Sequence, residues 1–234
     1  KPGLASYNRM GFYRFLTGDV EGGIGMMQEA VKSSAKHPEN LAWCLTELGH
    51  MYRKVGRQDA AADAYRDAIA AFPTAHAAFA GLAAVDVELG KLDEAIEFYK
   101  KAQAITPMVP YAGELYSLYT QRGDQKAARV QAALIDAQDQ LEKASGQSAN
   151  RTLALILADQ NRKLDRALEL ATADLALRQD VYTHDAMAWV LFKLGRIDEA
   201  RLESQKALAL GSPEPIFRKH AEAIAAATRV ASRD

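Results

Sequence analysis

The sequence predicts an all-α solenoid of about six helix–turn–helix repeats with a C-terminal capping helix. Three observations carry that prediction. Alanine is abundant, proline is limited to 7 of 234 residues, and Val and Ile are thin outside a few spots, so helix is favoured over strand throughout. Glycine recurs at a near-regular interval, at Gly18, Gly56, Gly90, Gly123 and Gly195, with Asn161-Arg162 filling the corresponding place once. Five residues after each comes a small residue: Gly23, Ala61, Ala95, Ala128, Ala167 (counting from Arg162) and Ala200. The glycine ends a first helix in the left-handed conformation, which asparagine also tolerates. The small residue lets a second helix lie close against the first. That is a repeated hairpin.

In chain order, the first unit lies near residues 4–41 and runs 38 residues from its glycine to the next. The excess over 34 residues is about one helical turn, which predicts a second helix lengthened through Ser33–Lys36 with its buried face kept in phase. Residues 42–75 form the clearest unit, with Leu45, Leu48, Gly49 and Tyr52 before Gly56, and Ala61, Tyr65, Ala68 and Pro73 after it. Residues 76–108 repeat it through Phe79, Leu82, Gly90, Ala95, Tyr99, Ala102 and Pro107. The unit at 109–144 has a long second helix from about Gln125 to Lys143 and then breaks at Ser145-Gly146-Gln147-Ser148. Units at 148–180 and 181–213 follow, the latter through Ala188, Leu191, Gly195, Ala200, Ala207 and Pro213. Residues 1–144 and 148–234 thus read as two arrays joined at that break, or as one unbroken solenoid with a swollen loop. After Pro213 and Pro215, residues 214–232 form an alanine-rich helix that caps the last hairpin, whose stacking face is otherwise open. Folding back into the groove, or docking on a second copy, is the alternative.

These residues resemble the tetratricopeptide repeat, whose signature is an aliphatic–Leu–Gly–Tyr first helix, then Ala, an aromatic and a terminal Pro. The match is best at 42–75, close at 76–109 and good at 181–213; the units from about Leu4, Val109 and Ser148 are degenerate but in phase. The plain, alanine-dense repeats look like those of bacterial multi-repeat proteins. The resemblance implies a right-handed superhelix whose first helices line a concave groove through the second, fifth, ninth, twelfth and thirteenth positions of each unit. Carried over, this selects Asn8, Phe12 and Phe15 in the first unit and Trp43, Thr46, His50, Arg53 and Lys54 in the second. It selects the nearly featureless Ala77, Ala80, Ala84, Val87 and Glu88 in the third, and Tyr182, Asp185, Trp189, Phe192 and Lys193 in the last. Trp and Tyr beside Arg are typical of binding hot spots. Packing of Trp43 and Trp189 between neighbouring hairpins is the competing reading. The carboxylate clamp of chaperone-binding relatives is missing: its places hold Asn8 and Phe12, then Glu47, then Ala77 and Gly81.

No catalytic constellation emerges. The five histidines (His37, His50, His76, His184, His220) do not pair with one another or with Cys44 at metal-ligand spacing. Gly22-Gly23-x-Gly25 lacks the lysine and the preceding strand of a phosphate loop, and reads as a close helix contact. Cys44, the single cysteine, reads as a small packing residue. Asn150-Arg151-Thr152 is a formal glycosylation sequon. Lys and Arg total 29 against 30 Asp and Glu, so the electrostatic footprint of a nucleic-acid binder is absent. No apolar run reaches the roughly 18 residues of a membrane span. The chain starts at Lys1, so a leader removed earlier is compatible with it, and cytoplasmic and exported locations both stay open.

The function expected is a non-enzymatic scaffold, without cofactor or metal, that binds a segment of a partner protein in the groove. The groove residues selected are Asn8, Phe12, Trp43, Thr46, His50, Arg53, Lys54, Tyr182, Asp185 and Trp189. Alternatives are a self-assembling module, pairing through the terminal hairpin or the C-terminal helix, and a regulatory or recruiting part of a larger protein.

Overall fold

The computed structural model describes residues 4–146 and 149–231, so Gln147 and Ser148 of the predicted break at Ser145-Gly146-Gln147-Ser148 lie outside the described residues. Thirteen α-helices and no strand stand among them. In the first unit α1 (Leu4–Leu16) pairs with α2 (Val20–Ser34), α3 (Pro38–Lys54) with α4 (Gln58–Ala71), and α5 (His76–Glu88) with α6 (Leu92–Ile105). Then come α7 (Val109–Arg122) and α8 (Gln125–Ala144), consecutive across the turn at Gly123, followed by the pairs α9 (Arg151–Asp159) with α10 (Leu164–Leu177), and α11 (Val181–Lys193) with α12 (Ile197–Ala207). The last helix, α13 (Pro215–Ala231), packs on α12 and α11 as a cap.

The hairpin glycines behave as their spacing requires, with φ between +74° and +90° at Gly18, Gly56, Gly90, Gly123 and Gly195. In the fifth hairpin the left-handed residue is Asn161 (φ +49°) rather than Arg162. Counted from Asn161, the buried Ala167 comes one residue late, and Lys163 takes up the extra residue by adopting φ +48° itself. The lengthening expected in α2 is also placed differently. That helix stops at Ser34, and the additional residues go to α3, which begins at Pro38 and is 17 residues long. Proline suits the first helical position, where its missing N–H has no partner to lose. Gly23 is buried, and a Cβ there would lie 2.9 Å from the Gly11 carbonyl oxygen, so the α1–α2 contact needs a glycine.

The chain divides into two compact units, Lys1–Ala128 with Gly211–Pro213, and Arg129–Leu210 with Glu214–Asp234. In the first, Phe15, Ile24, Met27, Leu48 and Met51 close α1–α3. Tyr65, Leu82 and Val85 carry the core onward, and Ile96, Tyr99 and Leu115 extend it to α7. In the second, Leu153, Leu157, Leu170, Val190, Phe217 and Ile224 are each 1% exposed or less. Each core is made by neighbouring hairpins, as in other stacked repeats.

Candidate functional site

The first unit holds its polar groups on the α3 side. Residues 43, 50 and 53 share one face of that helix by their seven- and three-residue spacing. Trp43 is 45% exposed. His50 Nδ1 shares a 2.7 Å hydrogen bond with the Tyr65 hydroxyl of α4, their rings meeting edge to face at 5.4 Å. Arg53 Nη1 donates to Glu88 Oε1 of α5 at 2.5 Å, bridging two first helices. Asn8 Oδ1 lies 4.0 Å from Cys44 Sγ, and Phe12 packs into the α1–α3 core. Thr46 is 3% exposed and donates its hydroxyl to the Ala42 carbonyl, so it faces inward. A different His–Tyr pair joins α5 to α7, where His76 Nδ1 meets the Tyr111 hydroxyl at 2.6 Å.

Tyr65 is the pivot of this cluster. Its ring is fully buried, and a Cβ added at Gly49 or Gly81 would fall 2.5 or 2.3 Å from it. The two glycines of α3 and α5 form the slot. Burial pushes the Tyr65 phenol far up, against the pull of the Arg53 charge. Burial also pushes the Glu47 carboxyl up, opposed by Lys54. His50 is driven down to about 3 by burial, with Lys54 and Arg53 adding to the effect.

The His50 shift has a consequence for stability. An unfolded histidine takes its proton near pH 6.5, well before the folded one does. Between pH 6.5 and about 3 the unfolded state therefore binds more protons, so this contribution is full above that window and is lost as pH falls through it. His50→Gln should lose less melting temperature than wild type between pH 7 and pH 4.5. Parallel slopes for the two proteins would refute the assignment.

In the second unit, the selected residues meet other helices of that unit. Asp180 caps α11, accepting hydrogen bonds from the Tyr182 and Thr183 amides, which sets the register of the helix. Tyr182 donates to Glu214 Oε1 at 2.6 Å, and its ring sits edge-on to Phe217 of α13 at 5.2 Å. Asp185, 3% exposed, lies 3.0 and 3.1 Å from Nδ1 of the buried His220. Trp189, 8% exposed, stacks on the His220 ring at 4.0 Å and donates Nε1–H to Asp159 Oδ1 at 2.7 Å. Tyr182, Asp185 and Trp189 thereby contact α13, and Trp43 of α3 is the exposed aromatic among the selected residues. Nothing in the sequence near α11 marks this, because the covering residues are 31 to 35 positions later.

An open cleft of about 420 Å³ lies elsewhere in the first unit, between α4, α5 and α6, and includes none of the selected residues. Among the described residues no group of His, Cys, Asp or Glu converges as metal ligands would, and no helix is long and apolar enough to cross a membrane. The sequon residue Asn150 has a structural role. It caps α9 through Leu153 N–H and donates its amide to Glu142 at 2.8 and 3.0 Å.

Tetratricopeptide repeat family models match residues 41–71 and 78–107. No curated protein matches the chain. Among solved structures, it is similar to a chain of the APC/C hetero-tetramer Cut9-Hcn1, with 19% identity and a TM-score of 0.55. That likeness covers 95% of this chain but only 43% of the other. It is also similar to a tetratricopeptide repeat protein from Parabacteroides merdae, with 15% identity and a TM-score of 0.51 over 94% of this chain and 98% of that one. At such identities the likeness concerns the fold alone. Residues 41–71 and 78–107 are thus tetratricopeptide repeats, set in an all-α helical-repeat fold.

Proposed function

We propose that this protein is a non-enzymatic interaction scaffold whose first unit binds a segment of a partner protein along α3 and α5. Tetratricopeptide repeats generally mediate protein–protein interaction. The observation that carries the reading here is Trp43, held 45% exposed on the face that also bears His50 and Arg53. A large exposed aromatic with a guanidinium nearby is the composition of a hot spot. The half-buried alanines Ala77, Ala80 and Ala84 of α5 offer low relief beside it, which suits the close approach of a peptide backbone. Asn8, Phe12, Thr46 and Lys54 complete the surface or support it from behind.

The test compares two baits in a pull-down from source lysate, wild type and Trp43→Ala/Arg53→Ala/Lys54→Ala. Trp43 is exposed and the Arg53–Glu88 pair is about a third exposed, so the substitutions should leave the helical signal intact and cost about 1 kcal/mol or less of stability. Binding of the purified partner should fall by about tenfold or more. Equal retention by the two baits would remove this face from the function.

A further inference from the structure

Four residues before its hairpin glycine, a first helix of this chain usually carries a large side chain. Arg14, Tyr52, Tyr119 and Leu191 stand there before Gly18, Gly56, Gly123 and Gly195. In α5 the place holds Asp86, before Gly90. The difference has a spatial result. Tyr52 reaches across to the preceding second helix, where its hydroxyl accepts from Gln28 Nε2 of α2 at 3.0 Å. An aspartate at the equivalent place is too short to span to α4. The open cleft of about 420 Å³ between α4, α5 and α6 lies there, with Asp86 in its wall. In the second unit Leu191, also smaller than tyrosine, lines a cleft of about 330 Å³ between α10, α11 and α12. That cleft is mainly apolar, through Leu168, Leu175, Met187 and Leu202. Hairpin packing therefore does not call for a carboxylate at this place, and Asp86 sets the first cleft apart.

The apolar part of the first cleft runs from Leu82 and Val85, 7% and 4% exposed, to Phe98 and the half-exposed Leu89. Its charged part is Asp59, Asp63 and Asp86 against Arg66 and Lys91. Arg66 donates to Asp63 at 2.8 Å, so that pair is closed, and two carboxylates are left against one ammonium. Burial pushes the Asp86 carboxyl up, with Lys91 and Arg66 opposing and Glu94 adding. No side chain among the described residues donates a hydrogen bond to it. We propose that this cleft receives an arginine or lysine side chain of a partner protein, its aliphatic stem on Leu82, Leu89 and Phe98 and its charged head at Asp86 and Asp59. Such side chains are apolar along the stem and charged at the tip, as the lining demands. Charge selects among the alternatives. An acidic side chain would meet two carboxylates. A purely apolar one would cover Asp86 without giving it a partner, which is costly. The cleft shares no residue with the Trp43 face or with the alanines of α5 beside it, so this contact is separate from the one proposed above.

The test is an amide-shift titration of the isotope-labelled full chain at constant ionic strength. The probe is N-acetyl-arginine N-methylamide, with the norleucine and glutamate analogues and spermidine in parallel. The arginine probe should shift amides of residues 58–66 and 82–91 and saturate with a dissociation constant of about 1–10 mM. The norleucine analogue should bind about fivefold more weakly, and the glutamate analogue should not saturate. Asp86→Asn keeps the space and removes the charge, so it should weaken the arginine probe by about fivefold. Asp86→Tyr restores the side chain found at Tyr52 and Tyr119 and should abolish the shifts by filling the cleft. Asp67→Asn, on α4 but outside the cleft, should titrate as wild type, as should Trp43→Ala/Arg53→Ala/Lys54→Ala. No saturable shift with the arginine probe overturns the proposal. So does equal binding of the norleucine analogue, or an Asp86→Asn variant that binds like wild type. Equal weakening by Asp67→Asn would reduce the effect to overall charge and overturn it as well. Spermidine binding more tightly than the arginine probe, with the same dependence on Asp86, would assign the cleft to a free polyamine and remove the side-chain reading.

Discussion

Tyr65→Ala is expected to lower the stability of the first unit by about 3–5 kcal/mol, the cost of emptying a fully buried aromatic site. The site has little means of collapsing. Its walls are the backbones of α3 at Gly49 and α5 at Gly81, which approach the ring so closely that neither position has room for a Cβ. The helices would have to tilt together to close the void. Tyr65→Phe separates the two contributions. It keeps the ring and removes only the hydroxyl that bonds His50 Nδ1 at 2.7 Å, so it should cost about 1 kcal/mol. Urea unfolding of the three proteins decides the matter. Similar losses for the two variants would mean that the hydrogen bond to His50, and not the packed ring, carries the stability of this site.

In the second unit the largest effect belongs to Trp189. Trp189→Ala removes an 8%-exposed indole that stacks on His220 and bonds Asp159, and it should cost about 3–5 kcal/mol. The loss has a location. His220 and Phe217 are the residues by which α13 is seated on α11, so amide exchange in α13 should accelerate well before exchange in α9 or α10 does. Trp189→Phe should keep much of the ring contact while leaving Asp159 without its indole donor, and should fall between wild type and alanine. Uniform acceleration across the unit in Trp189→Ala would show that α13 melts with its neighbours and is no separately seated cap.

Much of this was legible in the residues themselves. The hairpins follow from glycine or asparagine where the backbone turns left-handed and from a small residue where two helices touch. Both are properties of a few consecutive residues, so spacing reveals them. The misplacements were local and had local causes. Pro38 starts α3 early and takes the extra turn expected in α2, and Lys163 absorbs one residue by taking a positive φ. The groove residues were less legible. Trp43 and Trp189 were selected by the same rule, yet one stands 45% exposed and the other is sealed beneath α13.

The all-α repeat architecture and its C-terminal helix were determined by the sequence alone, because each rests on short-range periodicity and turn chemistry. Which faces stay open was decided only by the tertiary structure. In the second unit, Asp136, Asp139 and Glu142 of α8 meet Arg162, Lys163, Arg166 and Asn150 on the segment that follows. Likewise, Tyr182, Asp185 and Trp189 can serve a ligand or seat a helix, and residues about thirty positions away settle which. Exposure depends on what packs from a distance, and no window of neighbouring residues contains that information.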